Sequence, residues 1–208
     1  MTDYHSEQWL DLTHTMAADV LAGECPWEIL ADLSDLIRAW GQTLSRDDYT
    51  EITPGVFLAR DVRVSPTATI AGPCIVGAGS EIRSGAFLRG STLIGRGCVI
   101  GNSTEVKNAI LFDGVKAPHF NYIGDSILGF GAHLGAGAIL SNMRCDGAPI
   151  VLRTTPPIST VIGDGCEIGC HAVLNPGTIL GRGSIVYPLT SVRGVHPEGS
   201  RLTGTRGG

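Results

Sequence analysis

The chain has 208 residues, of which 43% are hydrophobic, 17% charged and 6% aromatic, with 29 glycines, 11 prolines and a net charge of −5. That apolar fraction excludes a disordered chain, and the acidic balance argues against a nucleic-acid binder, which carries a basic face. No run approaches the roughly 18 apolar residues that span a bilayer, and no basic stretch followed by an apolar one opens the chain, so the expectation is a cytoplasmic protein with no membrane partner.

In residues 1–50 the aliphatic spacing predicts two short helices, over 8–21 and 27–44, separated by Gly23-Glu24-Cys25-Pro26. Trp27, Leu30, Leu33, Leu36 and Ile37 fall on one face of the second. The expectation is a helical N-terminal cap that covers the exposed strand edges of the first β coil after residue 50.

From residue 51 to about 195 a period of six takes over. Large aliphatics stand at Ile52, Leu58, Val64, Ile70, Val76, Ile82, Leu88, Ile94, Ile100 and Val106, with Phe112 next, then at Leu128, Leu134 and Leu140, and again from Ile162 to Val192. Four residues after nearly every one comes a small or β-branched side chain, such as Ala68, Cys74, Ala86, Thr104 or Cys166. An α-helix carries a six-residue period around all its faces, and the glycines and prolines would break one long strand. A triangular coil fits: each hexad gives a short strand and a turn, and three close one coil of roughly 18 residues, stacked about 4.8 Å from the next. The fold class expected is therefore all-β, a parallel β-helix of hexapeptide repeats with about seven coils and a short N-terminal helical segment. Residues 196–208 are expected to form a flexible tail. Cys74, Cys98 and Cys166 occupy the small inward slot, where a thiol acts as a small hydrophobe, and Cys170 falls outside it. With no C-x-x-C spacing, the six cysteines are expected to be reduced thiols.

The repeat breaks twice. Between Phe112 and Leu128 the step is not a multiple of six, and the chain reads Lys116-Ala-Pro-His-Phe-Asn-Tyr-Ile-Gly-Asp125. At 141–161 a long excursion leaves the repeat, as functional loops do, and from a corner it could reach a neighbouring subunit.

Arg89 and Lys107 each follow an inward aliphatic and are 18 positions apart, which stacks them on adjacent coils of one face. Such a pair suits an anion such as a phosphate, unless Glu105 or another carboxylate neutralises it; spacing leaves both open. His119, in the first break, is a candidate general base. His119, His133 and His171 are separated by 14 and 38 residues, a poor zinc pattern, and no metal is expected.

Phe87-Leu-Arg-Gly90, Ile100-Gly-Asn-Ser-Thr-Glu-Val-Lys-Asn108, Lys116 to Asp125, and Leu134-Gly-Ala-Gly-Ala-Ile-Leu-Ser-Asn142 keep a common spacing. Together they resemble the acetyltransferase domain of bifunctional glucosamine-1-phosphate N-acetyltransferase/UDP-N-acetylglucosamine pyrophosphorylases, a domain that archaeal sugar-1-phosphate nucleotidylyltransferases also carry. The resemblance implies a left-handed β-helix, an exception to the right-handed crossover rule. It also implies a homotrimer with sites between subunits, acetyl-CoA as co-substrate and a place in UDP-GlcNAc biosynthesis. It implies that His119 is the catalytic base, that Arg89, Lys107, Tyr122, His133 and Asn142 meet the sugar phosphate, and that Ala136, Cys170 and Pro188 lie along coenzyme A. The sequence departs from the family in carrying His133 in place of an asparagine, and in lacking an early loop lysine that Arg144 or Arg153 could replace. The nucleotidyltransferase domain is absent from residues 1–50. The function expected is N-acetylation of an amino-sugar 1-phosphate, most readily glucosamine 1-phosphate. The alternative is a non-catalytic sugar-phosphate-binding or scaffold subunit that partners a separate nucleotidyltransferase.

Overall fold

The computed structural model describes residues 4–23, 25–148 and 160–204. From Val56 onward the chain winds as a left-handed parallel β-helix with three walls. The first wall stacks Val56–Ala59, Cys74–Val76, Thr92–Ile94, the second halves of Glu105–Leu111 and Tyr122–Leu128, then Thr160–Ile162, Thr178–Leu180 and Val195–His196. The second stacks Thr69–Ile70, Phe87–Leu88, the first halves of Glu105–Leu111 and Tyr122–Leu128, Ile139–Leu140, Val173–Leu174 and Ser191–Val192. The third runs from Arg63–Val64 through Val99–Asn102, Lys116–His119, His133–Leu134 and Glu167–Ile168 to Arg201–Leu202.

Side chains alternate across each short strand, so the large aliphatic of every hexad points into the prism. Val76, Ile82, Leu88, Ile100, Val106, Leu134, Leu140 and Leu174 are all fully buried there. Each contributes roughly 1.5–3 kcal/mol, so a core with few aromatics still holds the coils together. Cys74, Cys98 and Cys166 occupy the small inward slots, as the repeat predicts. Burial pushes the first two thiols up to about 12 and the third to about 11.

The structure corrects the repeat in three places. Ile52 is not an inward residue of a first coil: Tyr49–Thr53 runs antiparallel on Val56–Ala59, and Ile52 is half exposed. Phe112 is not the next inward residue after Val106. Asn108 turns the corner with φ 48°, Leu111 takes the inward position, and Phe112 joins a second cluster outside the prism. The coils here are one residue short, pairing Thr92 with Ala109 and Ala109 with Ser126, 17 positions apart each time. The repeat also continues beyond residue 195, because Arg201–Leu202 still pairs with Ile185–Val186.

The N-terminal segment differs most from expectation. Asp11 accepts from Thr13 N–H and Thr15 from Ala17 N–H, and such local bonds hold the backbone in turns. The first expected helix is therefore two 3-10 turns, Ser6–Gln8 and Leu12–His14, and a single α-turn, Ala18–Leu21. The second divides at Asp32 into the 3-10 helix Pro26–Ala31 and the α-helix Leu33–Thr43. These pieces do not cap the first coil; Tyr49–Thr53 covers that edge. They form a strap along the outside of the first wall, where Trp9, Leu10, Leu21, Trp27, Leu33 and Ile37 cluster with Ile75, Leu93, Ile110, Ile127, Val161 and Ile179. From Val56 to Leu180 the first wall is buried on both faces, which is why its strands are mostly apolar, with Thr92, Ser126, Thr160 and Thr178 as the buried polar members. Backbone bonds from Asp113 N–H to His14 C=O and Asp164 N–H to Trp9 C=O fasten the strap. Among the described residues no helix is long and apolar enough to cross a membrane.

Candidate active site

On the second wall Val106 pairs with Leu88, and Arg89 N–H donates to Val106 C=O at 2.8 Å, so Arg89 and Lys107 are neighbours on successive coils. Carboxylates do reach both cations. Arg89 Nη1 lies 2.7 Å from Glu105 Oε1, and Lys107 Nζ lies 3.7 Å from Asp125 Oδ2. Glu105 raises the Arg89 pKa further above its ordinary value. One guanidinium nitrogen is engaged and the lysine contact is long, which leaves donors on both cations for an anion.

Tyr122 pairs with Glu105 one coil further on. Its ring folds back over Gly124, where an added Cβ would stand 2.6 Å from the phenol oxygen. Burial first, and then the carboxylates of Asp125 and Glu105, push this phenol above its ordinary pKa, so it stays a neutral donor. At the corner beyond, Asn108 Nδ2 donates to Asp125 Oδ1 at 2.8 Å and Asn142 Nδ2 donates to Asp125 Oδ2 at 2.6 Å. Asn142 opens the long excursion, so the loop begins at a side chain tied to the coil below it.

A second group lies on the third wall. His119 pairs with Asn102, and the register of Lys116 with His133, His133 with Glu167 and Glu167 with Ile185 carries the column on through Ala136, Cys170 and Pro188. Gly137 N–H donates to His119 C=O at 3.0 Å, His171 N–H to Ala136 C=O at 2.9 Å and Leu189 N–H to Cys170 C=O at 3.0 Å. Among the described residues the Ala136 and Cys170 N–H groups meet no protein acceptor. Ala136, Cys170 and Pro188 carry short side chains, and the corner beside them holds exposed Phe120 and Leu189, with the His171 ring lying over Gly137.

His133 stands apart from that column. It starts its strand between Lys116 and Glu167, and its Nδ1 is 2.7 Å from Glu167 Oε2. The structure thus brings together Arg89, Lys107, Tyr122 and Asn142 on one wall, and His119, Ala136, Cys170 and Pro188 on another. His119 and Tyr122 flank the corner Phe120–Asn121 that separates the two groups. Arg144 is bound to Asp146 within its own loop, and Arg153 lies outside the described residues.

Sequence reasoning missed Asn121, Gly124 and Asp125. Asn121 fills a small inward slot, between Thr104 and Ala138 of the neighbouring coils, and is buried. Its Nδ2 donates to Gly135 C=O at 2.8 Å and its Oδ1 accepts from His119 N–H at 3.2 Å, so it fixes the histidine's backbone. A polar residue in an inward slot was the available signal. Among the described residues no three His, Cys, Asp or Glu side chains converge as a metal site. A cleft of about 260 Å³ lies between the strap and the first wall, lined by Met16, Leu44, Tyr49, Leu93 and Arg96, away from both groups.

Residues 70–185 match the family described as the GMPPB C-terminal domain. Among curated proteins, the bifunctional protein GlmU of Methanococcus maripaludis is 31% identical over 108 residues, 49% of this chain and 26% of that protein. The bifunctional protein GlmU of Sphingopyxis alaskensis is 35% identical over 159 residues, 74% of this chain and 33% of that protein. The chain therefore spans about a third or less of the length of these two relatives. Among solved structures, the acetyltransferase domain of PglB from Neisseria gonorrhoeae in complex with acetyl coenzyme A is similar at a TM-score of 0.36. It is 22% identical, over 72% of this chain and 55% of that one.

Proposed function

The chain belongs to the GMPPB C-terminal domain family, in the GlmU-type hexapeptide-repeat fold, and from that premise we propose that it is an acetyl-CoA-dependent N-acetyltransferase acting on an amino-sugar 1-phosphate. Glucosamine 1-phosphate is the first acceptor to try. The observation that carries the reading is the stacking of Arg89 and Lys107 beside Tyr122 and Asn142, around the corner from His119. Arg89 and Lys107 hold the sugar phosphate through their remaining donors, and the neutral Tyr122 phenol donates to the acceptor.

His119 takes the proton that the C2 amine releases as it attacks the thioester carbonyl, a role typically worth about 10²–10⁴ in rate, and returns it to the coenzyme A thiolate as the C–S bond breaks. The Ala136 N–H, which meets no protein acceptor among the described residues, is available to the oxyanion that develops. The short side chains of the Ala136–Cys170–Pro188 column would leave a slot for a narrow, extended arm such as that of coenzyme A. A single prism turns its second and third walls in different directions, so His133 and much of this slot face away from Arg89 and Lys107. A homotrimer, in which the third wall of one copy faces the second wall of the next, would close the site.

The test is acetyl-CoA consumption with a panel of amino-sugar 1-phosphates, for the native chain and His119→Ala. Turnover on one acceptor and its loss in the variant support the reading; no turnover on any, or a variant as active as the parent, sinks it. A second reading draws on the pairing of both cations with Glu105 and Asp125. It is a sugar-phosphate-binding scaffold subunit of a separate nucleotidyltransferase. A stoichiometric nucleotidyltransferase in a pull-down, with no acetyl transfer, would favour it.

A further inference from the structure

Among the described residues Asp125 is the one carboxylate that touches both ends of the second-wall group. Its Oδ1 accepts from Asn108 Nδ2 at 2.8 Å, its Oδ2 accepts from Asn142 Nδ2 at 2.6 Å, and Lys107 Nζ lies 3.7 Å from that second oxygen. The three corner residues sit on successive coils, so the ladder runs parallel to the axis of the prism. Asn108 and Asp125 both have positive φ, 48° and 47°, a conformation that Asn, Asp and Gly adopt at least cost. Local backbone and ladder thus select the same residue types.

We propose that Asp125 is a positioning residue: it fixes the first residues of the 141–161 excursion, through Asn142, relative to the Lys107 ammonium. Ser141 still donates its N–H to Leu174 C=O at 3.0 Å, but beyond it the chain leaves the ladder, and among the described residues 142–148 the backbone bonds are local. Side-chain bonds from Asp125 to an amide on each neighbouring coil supply the tether there instead. The tether lies beside Tyr122, whose ring folds over Gly124 immediately before Asp125. Asp125 itself touches no acceptor in this scheme; it acts through Lys107 and Asn142. The role in catalysis rests on the acetyltransferase reading, whereas the tether does not.

The experiment separates the two. Asp125→Gly removes the carboxylate and keeps a residue suited to positive φ. Asp125→Asn also suits it, and by rotation of the Asn108 amide it re-forms a neutral ladder to Asn142. Hydrogen exchange of the backbone amides in residues 142–148 is measured for both variants and the native chain, alongside thermal melts. The expected result is exchange at least tenfold faster in Asp125→Gly, with Asp125→Asn close to native. On an acceptor that the native chain acetylates, Asp125→Gly should raise the acceptor KM about tenfold or more, leave the acetyl-CoA KM within about twofold, and recover in Asp125→Asn. Native-like exchange in a folded Asp125→Gly overturns the proposal, as does an acceptor KM that does not move. If the native chain acetylates nothing, the acetyltransferase reading fails and exchange alone decides the tether. If Asp125→Gly does not fold, Asn108→Gly, which removes the other support of the carboxylate, is read in the same way.

Discussion

The phenol of Tyr122 lies over Gly124, and a Cβ at Gly124 would stand 2.6 Å from its oxygen and 2.9 Å from its ring carbons. Because Gly124 is the strand neighbour of Lys107, the missing side chain lets Tyr122 lie across the cation's coil. Gly124→Ala should therefore displace the ring without breaking the fold, since φ at Gly124 is not in the left-handed region. The expected outcome is a fall of about tenfold in kcat/KM for the acceptor, matched by Tyr122→Ala and not deepened in the double variant, because one change already undoes the other. Melting temperatures within a few degrees of the native chain would show that the loss is local. Full activity in Gly124→Ala would mean that the ring position is immaterial.

The cysteines divide by environment. Cys74, Cys98 and Cys166 are wholly buried, with burial pushing their thiols up to about 12, about 12 and about 11, whereas Cys145 and Cys170 are exposed. Only the thiolate reacts, so at pH 8 the buried three should be alkylated on the order of 10³ times more slowly than an ordinary free thiol. Timed iodoacetamide labelling read by peptide mass spectrometry should show Cys145 and Cys170 modified first and the three inward thiols only on unfolding. Early modification of Cys98 would mean that the coils open more readily than their packing implies.

Asp164 gives a pH signature. Its carboxylate accepts from Asp11 N–H at 2.6 Å and Phe130 N–H at 2.7 Å and lies 3.3 Å from Arg182 Nε, yet burial outweighs these and raises its pKa. A folded pKa above the unfolded one means that the native state holds the proton more tightly. The stability this group contributes is then fully present below the unfolded value near 3.9 and is lost as pH rises through the folded value. The difference in urea stability between the native chain and Asp164→Asn should accordingly shift in favour of the native chain as pH falls from neutral towards 4. A flat difference would mean that the hydrogen bonds cancel burial, and one that grows with pH that they outweigh it; either overturns the expectation.

The six-residue period read the prism almost completely, because a β-helix buries one large side chain in nearly every hexad. It failed where a coil is one residue short. Asn108 turning with φ 48° passes the inward position from Phe112 to Leu111, and two adjacent apolar residues look alike in a sequence. The strap was misplaced for a related reason. Its partner surface is the outward series Ile75, Leu93, Ile110, Ile127, Val161 and Ile179, one per coil, which a search for inward residues passes over. The stacking of Arg89 on Lys107 followed from the period, but their pairing with Glu105 and Asp125 depends on side-chain reach. The tether from Asp125 to Asn142 joins two corners whose distance apart only the folded coil defines.

The strap should open separately from the prism. Its cluster lies on the outside of the first wall and the main core on the inside, with the strands of that wall between them. Trp27 is its largest fully buried side chain, packed edge-on against Tyr4 at 5.4 Å between ring centroids, and among the described residues its indole N–H has no hydrogen-bond partner. Trp27→Ala therefore loses packing alone, a change that costs about 3–5 kcal/mol in a core. Trp27→Phe also removes an orphan donor whose burial costs about 1–3 kcal/mol, so it should be far milder. Under limited proteolysis Trp27→Ala should be cut within residues 5–44 while the coils from Val56 onward survive as one fragment, and Trp27→Phe should resist like the native chain. Simultaneous cleavage throughout Trp27→Ala would instead make the strap part of a single cooperative unit with the prism, and Trp27→Phe as labile as Trp27→Ala would mean that the orphan N–H has a partner in solution.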